Sequence, residues 1–162
     1  MQRSTFASHL FPHFQTTLKD LMQQHGQSPC AKSIKVKVVC HSDIVRYRND
    51  KQEDRQLLNA VIADSTQAVK CTIYDAQKFN RFIEGNSVII RNCIKKPDSI
   101  VVTANTKVFP SGNIDIPVAI EREGRAILFT PPARLASVVE ALNSPPKVRV
   151  SVRGKIVQVG SN

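Results

Sequence analysis

The chain has 162 residues, room for one domain of ordinary size with extensions. Its 23 Lys and Arg against 13 Asp and Glu give a formal charge of +10, which favours an anionic partner. No apolar run is long enough to span a bilayer, so an integral membrane protein is excluded and nucleic acid is the leading class of partner.

Residues 1–32 form an N-terminal extension. Phe6, Leu10, Phe14, Leu18 and Leu21 make a stripe interrupted by Pro12, which predicts a short amphipathic helix after the proline. Three roles fit it: packing on the domain that follows, binding a partner protein, or serving as a mitochondrial transit segment, since no acid precedes Asp20. His9 and His13 have metal-ligand spacing but no third ligand nearby, and read as surface histidines.

An organised domain is expected over 33–120. Residues 34–47 alternate, with Ile34, Val36, Val38 and Cys40 on one side and Lys35, Lys37, Val39 and His41 on the other, bending near Ser42-Asp43. A charged loop over 46–55 leads to an apolar second strand at 56–63. In the third strand Val69, Cys71 and Ile73 share one face, and Lys70, Thr72 and Tyr74 share the other. Asp75 then opens a short helix containing Phe79, Phe82 and Ile83, which Gly85 closes. Residues 87–95 and 100–109 read as strands four and five, separated by a turn at Pro97. The expected fold is therefore all-β: a five-stranded OB-fold barrel with a helix between strands 3 and 4, plus flanking helices.

Beyond the barrel, residues 118–129 read as a short strand or hairpin. The connector 121–146 carries an amphipathic helix over 131–143 with Leu135, Val138, Val139 and Leu142 at helical spacing. The tail 147–162 alternates like the first strand, as either the start of a second similar barrel or a strand returning to the first. Cys30, Cys40, Cys71 and Cys93 show no CxxC pair or zinc-ligand spacing, so reduced thiols and no metal or cofactor are expected. No phosphate-cradling glycine loop or nucleophile–base pattern is present, which argues against an enzyme.

Two pieces, AVIADSTQAVKCTIYDAQKF and TKVFPSGNIDIP, resemble segments of the replication protein A large-subunit family of OB-fold domains. The similarity covers roughly residues 34–117. It lacks the family's zinc ribbon and the stacking ring usual between strands four and five. The resemblance implies that Lys70 contacts the nucleic-acid backbone, that Tyr74 stacks on a base, and that Phe109 lines a groove.

A single strand bound without sequence readout needs cations along its track and rings to stack on. The candidate rings are Tyr74, Phe109 and Tyr47. The candidate cations are Arg46, Arg48, Lys51, Arg55, Lys70, Arg91, Lys95 and Lys107, with Asn59, Thr72 and Asn105 as hydrogen-bonding groups. The expected function is a single-stranded DNA-binding module in replication, repair or recombination, located in the nucleus, with the mitochondrion as the minor alternative. Two other readings stay open: an RNA-binding OB domain, and a protein-interaction scaffold using the N-terminal stripe and helix 131–143.

Overall fold

In β1 (Ile34–His41) Ile34, Val36 and Val38 are wholly buried while Lys35 and Lys37 stay half-exposed, because neighbouring strand side chains point to opposite faces. A register shift between Val38 and Cys40 breaks this rule and leaves Val39 and Cys40 both buried. The computed structural model describes residues 16–24, 29–129, 135–143, 145 and 150–153. They fall into two units, Met1–Leu128 and Phe129–Asn162.

The chain bends after β1, where expected, and continues as β2 (Val45–Arg48), β3 (Asp54–Ala63) and β4 (Ala68–Ile73). After a helical turn come β5 (Ser87–Arg91), β6 (Ile94–Lys95), β7 (Ser99–Val102) and β8 (Lys107–Pro110). The sheet runs β6-β7-β4-β3-β1-β5-β8, with β2 paired off β3 and the β4–β7 pair parallel. Because β6 continues β5 past Asn92-Cys93, and β8 continues β7 past 103–106, both ends of this path belong to the same two runs of chain. The sheet therefore curls on itself into a mostly β, OB-like half-barrel. Its core includes Ile34, Ile62, Ile73, Ile90, Ile100 and Phe82, all fully buried.

The helix expected after the third strand is a 3₁₀ helix, Ala76–Arg81. Asp75 caps it by accepting from the Gln77 N–H at 3.1 Å. The Lys78 ammonium pairs with the Asp75 carboxylate and donates to the Thr103 and Ala104 carbonyls, 3.1 Å each, tying the helix to the β7–β8 turn. Gly85 follows at φ +88°, a left-handed conformation that a side chain would strain.

α1 (Leu18–Gln23) starts at a capping box between Thr17 and Asp20. Leu18 and Leu21 are buried in the barrel core, and the Leu18 N–H donates to Asp64 Oδ2 at 2.6 Å. Packing on the following domain is thus what this part of the stripe does. Phe6, Leu10 and Phe14, with His9 and His13, lie outside the described residues.

Two local expectations fail. Residues 118–129 are not a strand or hairpin: Val118–Leu128 form α2. Ile116, Ile120 and Leu128 repeat along one side and pack against Val39, Val61, Ala63 and Ala68 on the sheet's outer face. This second layer explains why β3 shows no clean alternation, since Ala60 to Ala63 are covered from both sides. The helix comes so close that a Cβ on Gly124 would lie 3.1 Å from the Ala68 Cβ and 3.2 Å from the Val61 Cγ1. Arg125 ties α2 laterally to Glu84 at 2.6 Å and also pairs with Glu121 on its own helix at 3.2 Å.

In the second unit the helix expected over 131–143 is shorter. Leu135–Ala136 form β9, parallel to β10 (Ser151–Val152), and α3 spans Val138–Leu142. Its start is fixed by Ser137, which forms a capping box with Glu140. Residues 131–134 lie outside the described residues.

Candidate nucleic-acid interface

The sequence-predicted site divides into three groups. The first is the β2–β3 ribbon, where Arg46, Tyr47 and Arg48 face Gln56, Arg55 and Asp54 across the ladder. Together they line a shallow groove of about 550 Å³. The cations here are partly neutralised at close range. Arg48 Nε lies 2.9 Å from Asp54, and Arg55 lies 2.5 Å from Glu53. Hydrogen bonds from Asn49, then Arg55, hold the Glu53 carboxyl below its ordinary range, so it stays charged at neutral pH. Arg46 and Lys51 have no acidic partner among the described residues. Counting the cations of this loop without its acids overstates its attraction for a polyanion.

The second group lies on the outer face of β3 and β4. Asn59 is directly opposite Thr72, whose hydroxyl donates to Asn59 Oδ1 at 3.1 Å. Lys70 and Tyr74 flank Thr72 on the same face and are exposed. Thr72 and Asn59 satisfy one another, which leaves Lys70 and Tyr74 as the outward-reaching groups.

The third group is on β5 and β8. Arg91 sits directly opposite Lys107, and Ile89 opposite Phe109, which is 52% exposed. Lys35 neighbours Ile89 on the other side and Lys37 neighbours Ser87, so β1 extends the strip. These two lysines were visible in the alternation of the first strand yet were left out of the site. Two like charges facing each other across an antiparallel pair are unfavourable unless an anion intervenes. Among the described residues Arg91 makes only a backbone contact, its Nε donating to the Ala31 carbonyl at 3.2 Å. No strand pairing brings this strip beside Tyr74, since β4 and β8 are not neighbours in the sheet.

Two further candidates have structural roles. Lys95 donates from Nζ to the Gln24 carbonyl at 2.6 Å, binding the segment after α1. Asn105 sits in the β7–β8 turn, where its carbonyl accepts from Asn92 Nδ2 at 3.2 Å.

The family model of the HIN-200/IF120x domain matches residues 30–128, the whole of the curled sheet together with α2. The chain belongs to the HIN-200 family. No curated protein matches it. Among solved structures, it is similar to the Ifi202 HINa domain in complex with 20-bp double-stranded DNA, at 14% identity over 59% of this chain and 50% of that one, with a TM-score of 0.54. A murine DNA-binding protein bound to double-stranded DNA is 17% identical over 70% and 57%, with a TM-score of 0.55. The HINb domain of p204 is 15% identical over 76% and 61%, with a TM-score of 0.54. The chain spans about half the length of the first of these.

Family membership corrects the resemblance to replication protein A. The two pieces that carried it are signals of the fold. Asp64 in the D-x-T turn accepts from the Thr66 N–H at 2.7 Å, the Thr66 hydroxyl at 2.5 Å and the Gln67 N–H at 3.2 Å. Any tight connection between two such strands is served by that turn. The TKVF run enters β8 with Thr106 fully buried, its hydroxyl donating to the Asn92 carbonyl at 3.2 Å, and Val108 packed on the core. The single-stranded DNA partner and the setting in replication or repair fall with the resemblance, since the Ifi202 HINa domain and the murine DNA-binding protein named above hold double-stranded DNA. The roles given to Lys70, Tyr74 and Phe109 by that resemblance lose their basis too.

Proposed function

We propose that the chain is a double-stranded DNA-binding module that grips phosphates along β1, β5 and β8. The observation carrying this reading is the Arg91–Lys107 pair, two cations facing each other at the surface beside Lys35, Lys37 and the exposed Phe109. A duplex presents a closely spaced row of phosphates and hides its ring faces, so binding it requires cations more than stacking platforms. The outer surface fits that demand. Among its exposed rings, Tyr74 follows β4 and Phe109 stands on β8, strands that do not pair, so the two make no continuous stacking track. Lys70 on β4 and Arg46 and Lys51 on the ribbon supply secondary contacts. The role is binding, not catalysis.

At finer detail, β1 with β2, β5 with β6, and β7 with β8 are each one interrupted strand, which with β3 and β4 makes the five-stranded OB barrel. The alternating tail after 147, with β10 in it, is proposed to open a second barrel.

The test is fluorescence anisotropy of a labelled duplex of about 20 bp, with matched unlabelled single-stranded DNA as competitor. Duplex binding should be micromolar or tighter and weaken linearly in log affinity against log salt. Arg91→Glu with Lys107→Glu should weaken it tenfold or more and lower the salt slope by about two, one for each phosphate contact removed. Unchanged affinity in that variant, or equal competition by the single strand, overturns the reading.

A further inference from the structure

Residues 29–33 form a strap that leads into β1 over the β5–β6 junction. The Cys30 N–H donates to the Cys93 carbonyl at 2.8 Å, and the Asn92 N–H to the Cys30 carbonyl at 3.0 Å. Asn92 has φ +64°, so the strap residue faces two residues of a bulge whose first member is left-handed. Cys30 and Cys93 are thus directly opposed across an antiparallel bridge. Both side chains turn inward to the main core, Cys93 fully buried and Cys30 partly exposed at the rim. Cys71 belongs to the same core, whereas Cys40 packs in the separate cluster beneath α2.

We propose that Cys30 and Cys93 form a thiol–disulfide exchange site, in which a small disulfide of the glutathione class converts the strap into a covalent clasp. The geometry is near what a bridge needs. Facing residues in antiparallel pairs hold their Cβ atoms about 4.5–5.5 Å apart, and a disulfide closes that to about 3.8 Å. Only the strap has to move, since Cys93 lies between β5, held by β1 and β8, and β6, held by β7. The two thiols divide the chemistry. Cys30 is reachable from solvent, so its thiolate attacks one sulfur of the small disulfide, which splits and releases one thiolate that takes up the Cys30 proton. Cys93 then attacks the Cys30 sulfur, breaking the mixed disulfide and expelling the second small thiol, which takes up the Cys93 proton. Two protein thiols are oxidised and one small disulfide is reduced to two thiols. Burial, then the proximity of Cys30, pushes the Cys93 thiol up to about 11, in keeping with a second step that is slower than the first.

The experiment treats the reduced full chain with oxidised glutathione, traps free thiols with an alkylating agent and maps peptides by mass spectrometry. The expected result is a linked Cys30–Cys93 peptide pair, with Cys40 and Cys71 alkylated once the chain is denatured. Cys93→Ser should stop at the glutathione adduct on Cys30, and Cys30→Ser should remain unmodified at Cys93. The oxidised wild type should melt several degrees higher than the reduced form, a gain Cys30→Ser does not show. Persistence of the adduct in the wild type, a Cys71–Cys93 bridge, or no reaction at Cys30 in the folded chain overturns the proposal. Because Cys30→Ser changes only a partly exposed residue, it keeps the test open if Cys93→Ser fails to fold.

Discussion

At the scale of single residues, Asp64 does more than the D-x-T motif implies. One carboxylate oxygen closes its own turn through Thr66 and Gln67, and the other receives the first N–H of α1 from Leu18. Asp64→Ala leaves those donors, some of them buried, without their acceptor, and should cost about 2–4 kcal/mol in urea unfolding. Hydrogen exchange of the α1 amides should rise most, because α1 loses the acceptor that ties its first N–H to the barrel. Asp75 gives a test by pH. Its carboxyl lies below the ordinary value of 3.8, chiefly through Lys78. A depressed carboxylate stabilises the fold above its ordinary range, and that contribution is lost as pH falls. Asp75→Asn should therefore cost about 1–3 kcal/mol at pH 7 and a diminishing amount as the solution is acidified below 3.8. Urea titrations at several pH values check it.

At the scale of elements, α2 is the most informative. Gly124→Ala adds about 1 kcal/mol of helix propensity but presses a methyl onto Ala68 and Val61, strand side chains with little room to yield. The two effects should nearly cancel. Gly124→Val has no such offset and should lose about 2–3 kcal/mol, read as a lower urea midpoint. This helix also marks the limit of what the sequence shows. Residues 34–38 of β1 and 69–73 of β4 were legible because one face of each meets the core and the other meets water, so alternation survived there. α2 was hidden because its sheet-facing residues include a glycine, which counts as a breaker in a sequence but here permits close approach. The Ile116–Ile120–Leu128 spacing and the Glu121–Arg125 pair were the available signals. The break within strand five was equally hidden, since it depends on Lys78 reaching the Thr103 and Ala104 carbonyls from another element.

At the scale of the molecule, charge alone pointed to a polyanion, and the balance of its placement decides where one binds. Acids on the β2–β3 ribbon sit beside its arginines, whereas Arg91 and Lys107 face one another. Reversing Arg48 and Arg55 together should thus weaken duplex binding less than reversing Arg91 and Lys107, with a smaller change in salt slope; matched anisotropy titrations compare them. The candidate cations were legible one by one because their residue types are. Their grouping was not, because it follows from which strands pair, and short motifs shared by unrelated barrels pointed to the wrong family.

The docking of α1 carries a consequence for how the chain is made. The Leu18 N–H finds its acceptor at Asp64, 46 residues later, and the Gln24 carbonyl finds Lys95, 71 residues later. At translation rates of about 5–20 residues per second, this apolar turn emerges from the ribosome roughly two to fourteen seconds before its seat exists. Leu18 and Leu21 must wait uncovered through that interval, a natural stopping place for a chaperone. This helix cannot dock until most of the barrel has followed it out of the ribosome.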